Sequence, residues 1–98
     1  MTEERSDWGA LRERRMAETG AAEAYEATRL AYELGRQVRE LREQRSWSQT
    51  RLAREAGMTQ SAVARFEAGG TVPTIPVLGR LAQALGAELT VTLKTTAA

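Results

Sequence analysis

The sequence predicts an all-α domain with a helical extension at its N-terminus and one short β-strand at its C-terminus. Three observations carry that reading. Apolar residues recur at helical spacing from Ala21 to Leu85, broken by short turns. Three of the runs are opened by Ser48, Thr59 or Thr74 and closed by Gly57, Gly69-Gly70 or Gly86, the residue types that cap and stop helices. Only at Glu88-Leu89-Thr90-Val91-Thr92-Leu93-Lys94 does the period change to strict alternation, the mark of a strand.

Taken in order, Thr2–Glu18 has few helix breakers, but its sizeable apolar groups are only Trp8, Leu11 and Met16. That is too little to hold a helix firmly, so a mobile or partner-dependent arm is expected. Thr19-Gly20 reads as a break. From Ala21 to Arg45 the period is sustained by Ala24, Tyr25, Thr28, Ala31, Tyr32, Val38 and Leu41, as one long helix or two joined near Gly35. A tight turn, Ser46-Trp47-Ser48, follows, with Trp47 expected in the core. The next helix, Gln49–Ala56, turns Leu52, Ala53 and Ala56 inward. Gln60–Ala68 does the same with Ala62, Val63 and Phe66. Val72 precedes a proline and stays extended. Ile75–Leu85 carries the stripe Leu78, Leu81, Ala82 and Leu85. In the tail, Leu89, Val91 and Leu93 face one way, Thr90 and Thr92 the other. A lone strand in a helical domain has no ladder partner, so it pairs most simply with its own copy in a second subunit. The expected regions are a helical extension over 1–32, a helical domain over 33–86, and a dimerisation strand with a frayed tail over 87–98.

Composition narrows the function. Ninety-eight residues make one domain with a modest core. The absence of Cys and His excludes disulfides, thiol nucleophiles, zinc sites built on those ligands and imidazole catalysis. Neither an enzyme nor a cofactor or metal is expected. No apolar run approaches the roughly 18 residues of a membrane span, and the charged start, Met1-Thr2-Glu3-Glu4-Arg5, lacks the apolar stretch expected of a signal peptide. A cytoplasmic location is the expectation. The net charge of +1 conceals a division. Residues 1–35 hold five Arg and eight acids, net −3; residues 36–80 hold eight Arg and four acids, net +4. The middle block suits a polyanion and the first a basic partner.

Two short helices joined by a tight Gly-containing turn, the second rich in polar residues, form the helix-turn-helix pattern. Here it is Ser48-Gln49-Thr50-Arg51-Leu52-Ala53-Arg54-Glu55-Ala56-Gly57-Met58-Thr59-Gln60-Ser61-Ala62-Val63-Ala64-Arg65-Phe66-Glu67-Ala68-Gly69. Ala53 is small enough for a close crossing, and Gly57 makes the turn. Gln60, Ser61, Ala64 and Arg65 stay outside on the second helix, whose N-terminal N–H groups suit a phosphate. Arg51, with Arg45 and Arg54, is a solvated charge that can also touch phosphate.

This run, with Leu41-Arg42-Glu43 before it and Pro73-Thr74 after it, resembles the Cro/repressor (xenobiotic-response-element type) helix-turn-helix family over about residues 34–86. The resemblance implies a lambda-repressor-like fold that binds double-stranded DNA. It assigns Gln49 to a phosphate. Thr59, Gln60 and Ser61, with Arg65 one turn later, go to base edges or phosphate, and Thr71 to the backbone. It also implies a buried structural pair, Arg42 and Glu67. Ser46 departs from the family's usual Gly, so that turn is expected to be slightly strained. The flanks look like HigA-type antitoxins of bacterial toxin–antitoxin operons over about residues 12–94. That likeness implies a homodimer, expected on a pseudo-palindromic operator; the unpartnered strand makes Leu89, Val91 and Leu93 the candidate dimer contacts, with the long helix as the alternative or additional surface. The dimer would repress its own operon and neutralise a RelE/HigB-like ribonuclease toxin. Trp8, Leu11, Arg12 and Tyr25 are the candidates for toxin contact; packing on its own domain is the alternative for Trp8, and core or dimer contact for Tyr25. The rival function is a stand-alone phage-like repressor without a toxin.

Overall fold

The computed structural model describes residues 2–96, with side chains described from Asp7 onward except that of Met16; the expected fraying of Ala97 and Ala98 lies outside these residues. Four helices follow one another: α1 (Thr2–Gln44), α2 (Gln49–Ala56), α3 (Gln60–Glu67) and α4 (Ile75–Ala84). No described helix is long and apolar enough to cross a membrane.

α1 is a single helix of 43 residues. At 1.5 Å per residue it is about 64 Å long, which accounts for the longest molecular dimension, 66 Å. The expected break at Thr19-Gly20 is absent. Thr19 Oγ1 donates to the Arg15 carbonyl at 2.9 Å instead of capping a new helix, and Thr28 Oγ1 donates to the Ala24 carbonyl at 2.8 Å. A glycine in a helix costs only about 1 kcal/mol against alanine, and α1 contains no proline. Ion pairs on its exposed side add a few tenths of a kcal/mol each: Glu26 with Arg29 at 3.1 Å, and Arg36 with both Glu33 and Glu40. The Arg36 hydrogen bond holds the Glu33 carboxyl below its usual pKa. The expected boundary between positions 32 and 33 falls inside this helix.

The core joins Ala31 and Val38 of α1 to Leu52, Ala53 and Ala56 of α2, Val63 and Phe66 of α3, and Leu78, Leu81 and Leu85 in and after α4. Leu34, Leu41, Trp47 and Met58 are partly buried against it. The helical period therefore marked the inner faces of α2, α3 and α4, with Ala62 and Ala82 half-buried. In α1 the expected stripe fails upstream of Ala31. Ala24, Tyr25 and Thr28 are exposed, and so is Tyr32. The short helices reach only the C-terminal part of α1, so upstream side chains have nothing to pack against.

All four helices end in the same way. Trp47, Met58, Gly70 and Ala87 donate N–H to the carbonyls of Arg42, Ala53, Arg65 and Ala82 at 3.2, 2.8, 2.9 and 2.8 Å. The residue before each donor is left-handed. Three are Gly57, Gly69 and Gly86; the fourth is Ser46, at φ 57°. A Cβ there costs about 1 kcal/mol, which is the strain expected from a serine in that place.

The expected C-terminal strand is absent among the described residues: no backbone hydrogen bond is made from Glu88 onward. A strand exists only through its ladder, and one copy of the chain supplies no second edge. Of the three residues expected on its apolar face, Leu89 is half-buried against the core, whereas Val91 and Leu93 are exposed, Leu93 at 95%.

Candidate nucleic-acid interface

α2 and α3 are joined only by Gly57-Met58-Thr59. Ser48 Oγ accepts the Arg51 N–H at 3.0 Å and Thr59 Oγ1 accepts the Ala62 N–H at 3.1 Å, so both helix starts are capped by their own side chains. Gly57, at φ 67°, turns the chain from one to the other. Leu52, Val63 and Phe66 are buried between them and the rest of the core. The side of α3 left free carries Gln60, Ser61 and Arg65, all exposed, and Ala64, half-buried.

The two cations assigned to this face differ in setting. Arg65 holds no carboxylate among the described residues, and its stem lies along Gly70, where an added Cβ would come 3.0 Å from Arg65 Cγ. Arg51 bonds Glu55 at 3.1 Å, and its guanidinium sits 4.8 Å from the centre of the Trp47 ring. Arg45 stands over the same ring at 5.2 Å while its Nε donates to the Leu85 carbonyl at 2.9 Å. Cation–π contacts of about 0.5–1 kcal/mol each tie Trp47 to the start of α2. Trp47 is thus half in the core and half a platform for arginines.

Behind the exposed face runs a chain of four polar side chains. Arg42 Nε and Nη2 donate to the two oxygens of Glu67 at 2.7 and 2.9 Å, and Arg42 Nη1 donates to the Trp47 carbonyl at 2.7 Å. The pair is deeply set, with side-chain exposures of 12% for Arg42 and 3% for Glu67. The bonds to Glu67 push the Arg42 guanidinium pKa above its ordinary value. Gln49 Nε2 donates to Glu67 Oε1 at 3.2 Å, and Gln60 Nε2 donates to Gln49 Oε1 at 2.9 Å. Gln60 is left with an amide oxygen and one N–H uncommitted. One acceptor beside one donor is the pattern that pairs with the major-groove edge of adenine.

The sequence singles out each of these four residues but not the links Gln60–Gln49 and Gln49–Glu67. Their partners lie 11 and 18 positions apart, and the only local hint is a glutamine at the first position of both α2 and α3. Thr71 is half-buried in the loop after α3. The toxin-contact candidates are not brought together. Trp8, Leu11 and Arg12 share a turn of α1, whereas Tyr25 lies about 20 Å or more further along it. Trp8 is 67% exposed and does not pack on its own domain.

A family model described as a helix-turn-helix domain matches residues 33–93, from the C-terminal turns of α1 through α2, α3 and α4 into the tail. No curated protein and no solved structure matches the chain significantly.

Proposed function

The chain belongs to the helix-turn-helix family, and on that premise we propose that it is a DNA-binding repressor of its own operon that also neutralises a RelE/HigB-like ribonuclease toxin by direct binding. The observation that carries the DNA-binding part is the Gln60–Gln49–Glu67–Arg42 chain. It holds the Gln60 amide at the exposed start of α3 on a buried, charged anchor, so little rotamer entropy remains to be lost on binding. In this reading α3 lies in a major groove. Gln60 reads an adenine edge and Arg65 a guanine or a phosphate; Thr59, Ser61, Ala64 and Thr71 complete the contact. The second amide N–H of Gln49 and the N-terminal N–H groups of α2 meet a phosphate, with Arg51 beside them. A homodimer would place two such helices on successive grooves of a pseudo-palindrome, about 34 Å apart.

Replacing Gln60 by alanine is expected to lower discrimination at one base pair by about 1–3 kcal/mol while preference at the other positions survives. Selection from a randomised duplex pool, compared between the two proteins, reads this directly. An unchanged preferred sequence would remove Gln60 from base recognition.

The toxin part rests on α1. Its residues up to Glu26 bury nothing, apart from the half-exposed Gly9, among the side chains described. They carry exposed Trp8 and Tyr25 within a segment of net charge −3 over residues 1–35. A ribonuclease that grips RNA is basic, which makes the arm its electrostatic complement. Co-expression with the operon neighbour, followed by native mass spectrometry, is expected to yield a complex that is lost when residues 1–26 are removed. That cut spares Ala31, which is in the core. No complex with the full chain, alongside intact operator binding, would leave the stand-alone repressor.

A further inference from the structure

We propose that the C-terminal tails of two copies pair antiparallel about Val91, with Glu88 of each copy opposite Lys94 of the other. The proposal rests on the homodimer reading above and specifies its surface and register. From Glu88 onward the described tail makes no backbone hydrogen bond, so a row of donors and acceptors is free on a segment with strict alternation. It runs beside an apolar groove of about 550 Å³ lined by Leu30, Leu34, Val72, Ile75, Leu78 and Val91. Leu30, Val72, Ile75 and Val91 there are exposed, and Leu93, just beyond, is almost wholly bare. A segment of alternating sequence with free backbone donors and acceptors, beside uncovered apolar surface, is an aggregation hazard unless something pairs with it.

The sequence of the tail matches itself in one register. Two antiparallel copies centred on Val91 oppose Leu89 to Leu93 and Thr90 to Thr92, so apolar meets apolar on one face and threonine meets threonine on the other. Glu88 and Lys94 are the only charged residues after Arg80, and this register sets them against each other twice per dimer. Slipping one strand by a single residue sets apolar side chains against polar ones. Slipping it by two leaves both charges without an oppositely charged partner. Parallel in-register pairing opposes Glu88 to Glu88 and Lys94 to Lys94. The complementarity therefore selects a second copy of this chain, and it brings Leu93 of that copy opposite Leu89 at the groove.

Both charges are exposed, so exchanging them leaves the fold intact, and unchanged circular dichroism checks this. Sedimentation equilibrium of the full chain is expected to show that Glu88→Lys weakens the dimer about tenfold, and Lys94→Glu likewise, by turning two attractive cross-strand pairs into repulsive ones. Mixing the two variants, one carrying a mass tag, is expected to give heterodimer well above its statistical share, because each Lys then meets a Glu. Homodimers of both variants as tight as the wild type, with a statistical mixture, overturn the register. If Val91→Pro still abolishes such a charge-insensitive dimer, the homodimer reading survives and only the register falls. A wild-type chain that stays monomeric at every concentration overturns both.

Discussion

Glu67→Leu is expected to cost the fold about 3–5 kcal/mol, a large share of the roughly 5–15 kcal/mol by which a domain of this size is stable. The leucine removes the acceptor of two Arg42 bonds and leaves a guanidinium of 12% exposure held only by the Trp47 carbonyl. An unpaired buried charge is the expensive outcome; removing both charges is not. The double variant Arg42→Met, Glu67→Leu should therefore recover most of the loss. Its DNA binding should not recover in step, because Gln49 has lost the carboxylate that orients it and, through it, Gln60. Urea midpoints at constant m-value give the stability, and operator titrations at fixed salt give the binding. A single variant that loses under about 1 kcal/mol would show the pair to be open to water. A double variant that binds as the native chain does would show that Gln60 needs no anchor.

Gly35→Ala is the second large effect. Alanine at an exposed helical glycine gains about 1 kcal/mol, and propensity alone predicts a more stable protein. At this crossing of α1 over α3, however, the added Cβ runs into the backbone carbonyl oxygens of Phe66 and Glu67. These are main-chain atoms near the end of α3, and the Phe66 carbonyl already accepts the Gly69 N–H at 3.0 Å. They cannot rotate away as a flexible side chain would. Overpacking of this kind costs about 1–3 kcal/mol or more, so a net loss of about 2 kcal/mol is expected in the same urea experiment. Gly20, with nothing within 4 Å of its added Cβ, is the control, where alanine should only raise helicity. A stabilised Gly35→Ala protein would place α3 further from α1 than it lies here.

These two residues show where sequence reasoning succeeded and where it stopped. The family pattern marks Glu67 together with its partner Arg42, and that contact is present, but the pattern does not show the link from Glu67 through Gln49 to Gln60. Gly35 reads in the sequence only as a possible joint between two helices, without the contact to α3 that gives it its weight. Tyr25 and Tyr32 sit at helical spacing as convincingly as Val38 does, yet both are exposed. The period records which residues share a face, not whether another helix lies against it. Thr19-Gly20 looked like a cap and a stop, but a threonine can satisfy its hydroxyl on the preceding turn.

The sequence by itself determined the three short helices, their serine and threonine caps, their glycine stops and their inward faces. Those features depend on neighbours three or four positions away, so every interaction needed to specify them is present in the local string. The tertiary structure alone decided how much of α1 is buried, why Gly35 has no side chain, and that Gln60 is anchored through Gln49 to Glu67. The last two join residues 11 to 32 positions apart, the first joins α1 to α4 and the tail further on still, and chain spacing does not encode which surfaces come within reach. The tail lies beyond both: its alternation is legible in the sequence, but a ladder needs a second edge, and one folded chain does not supply it.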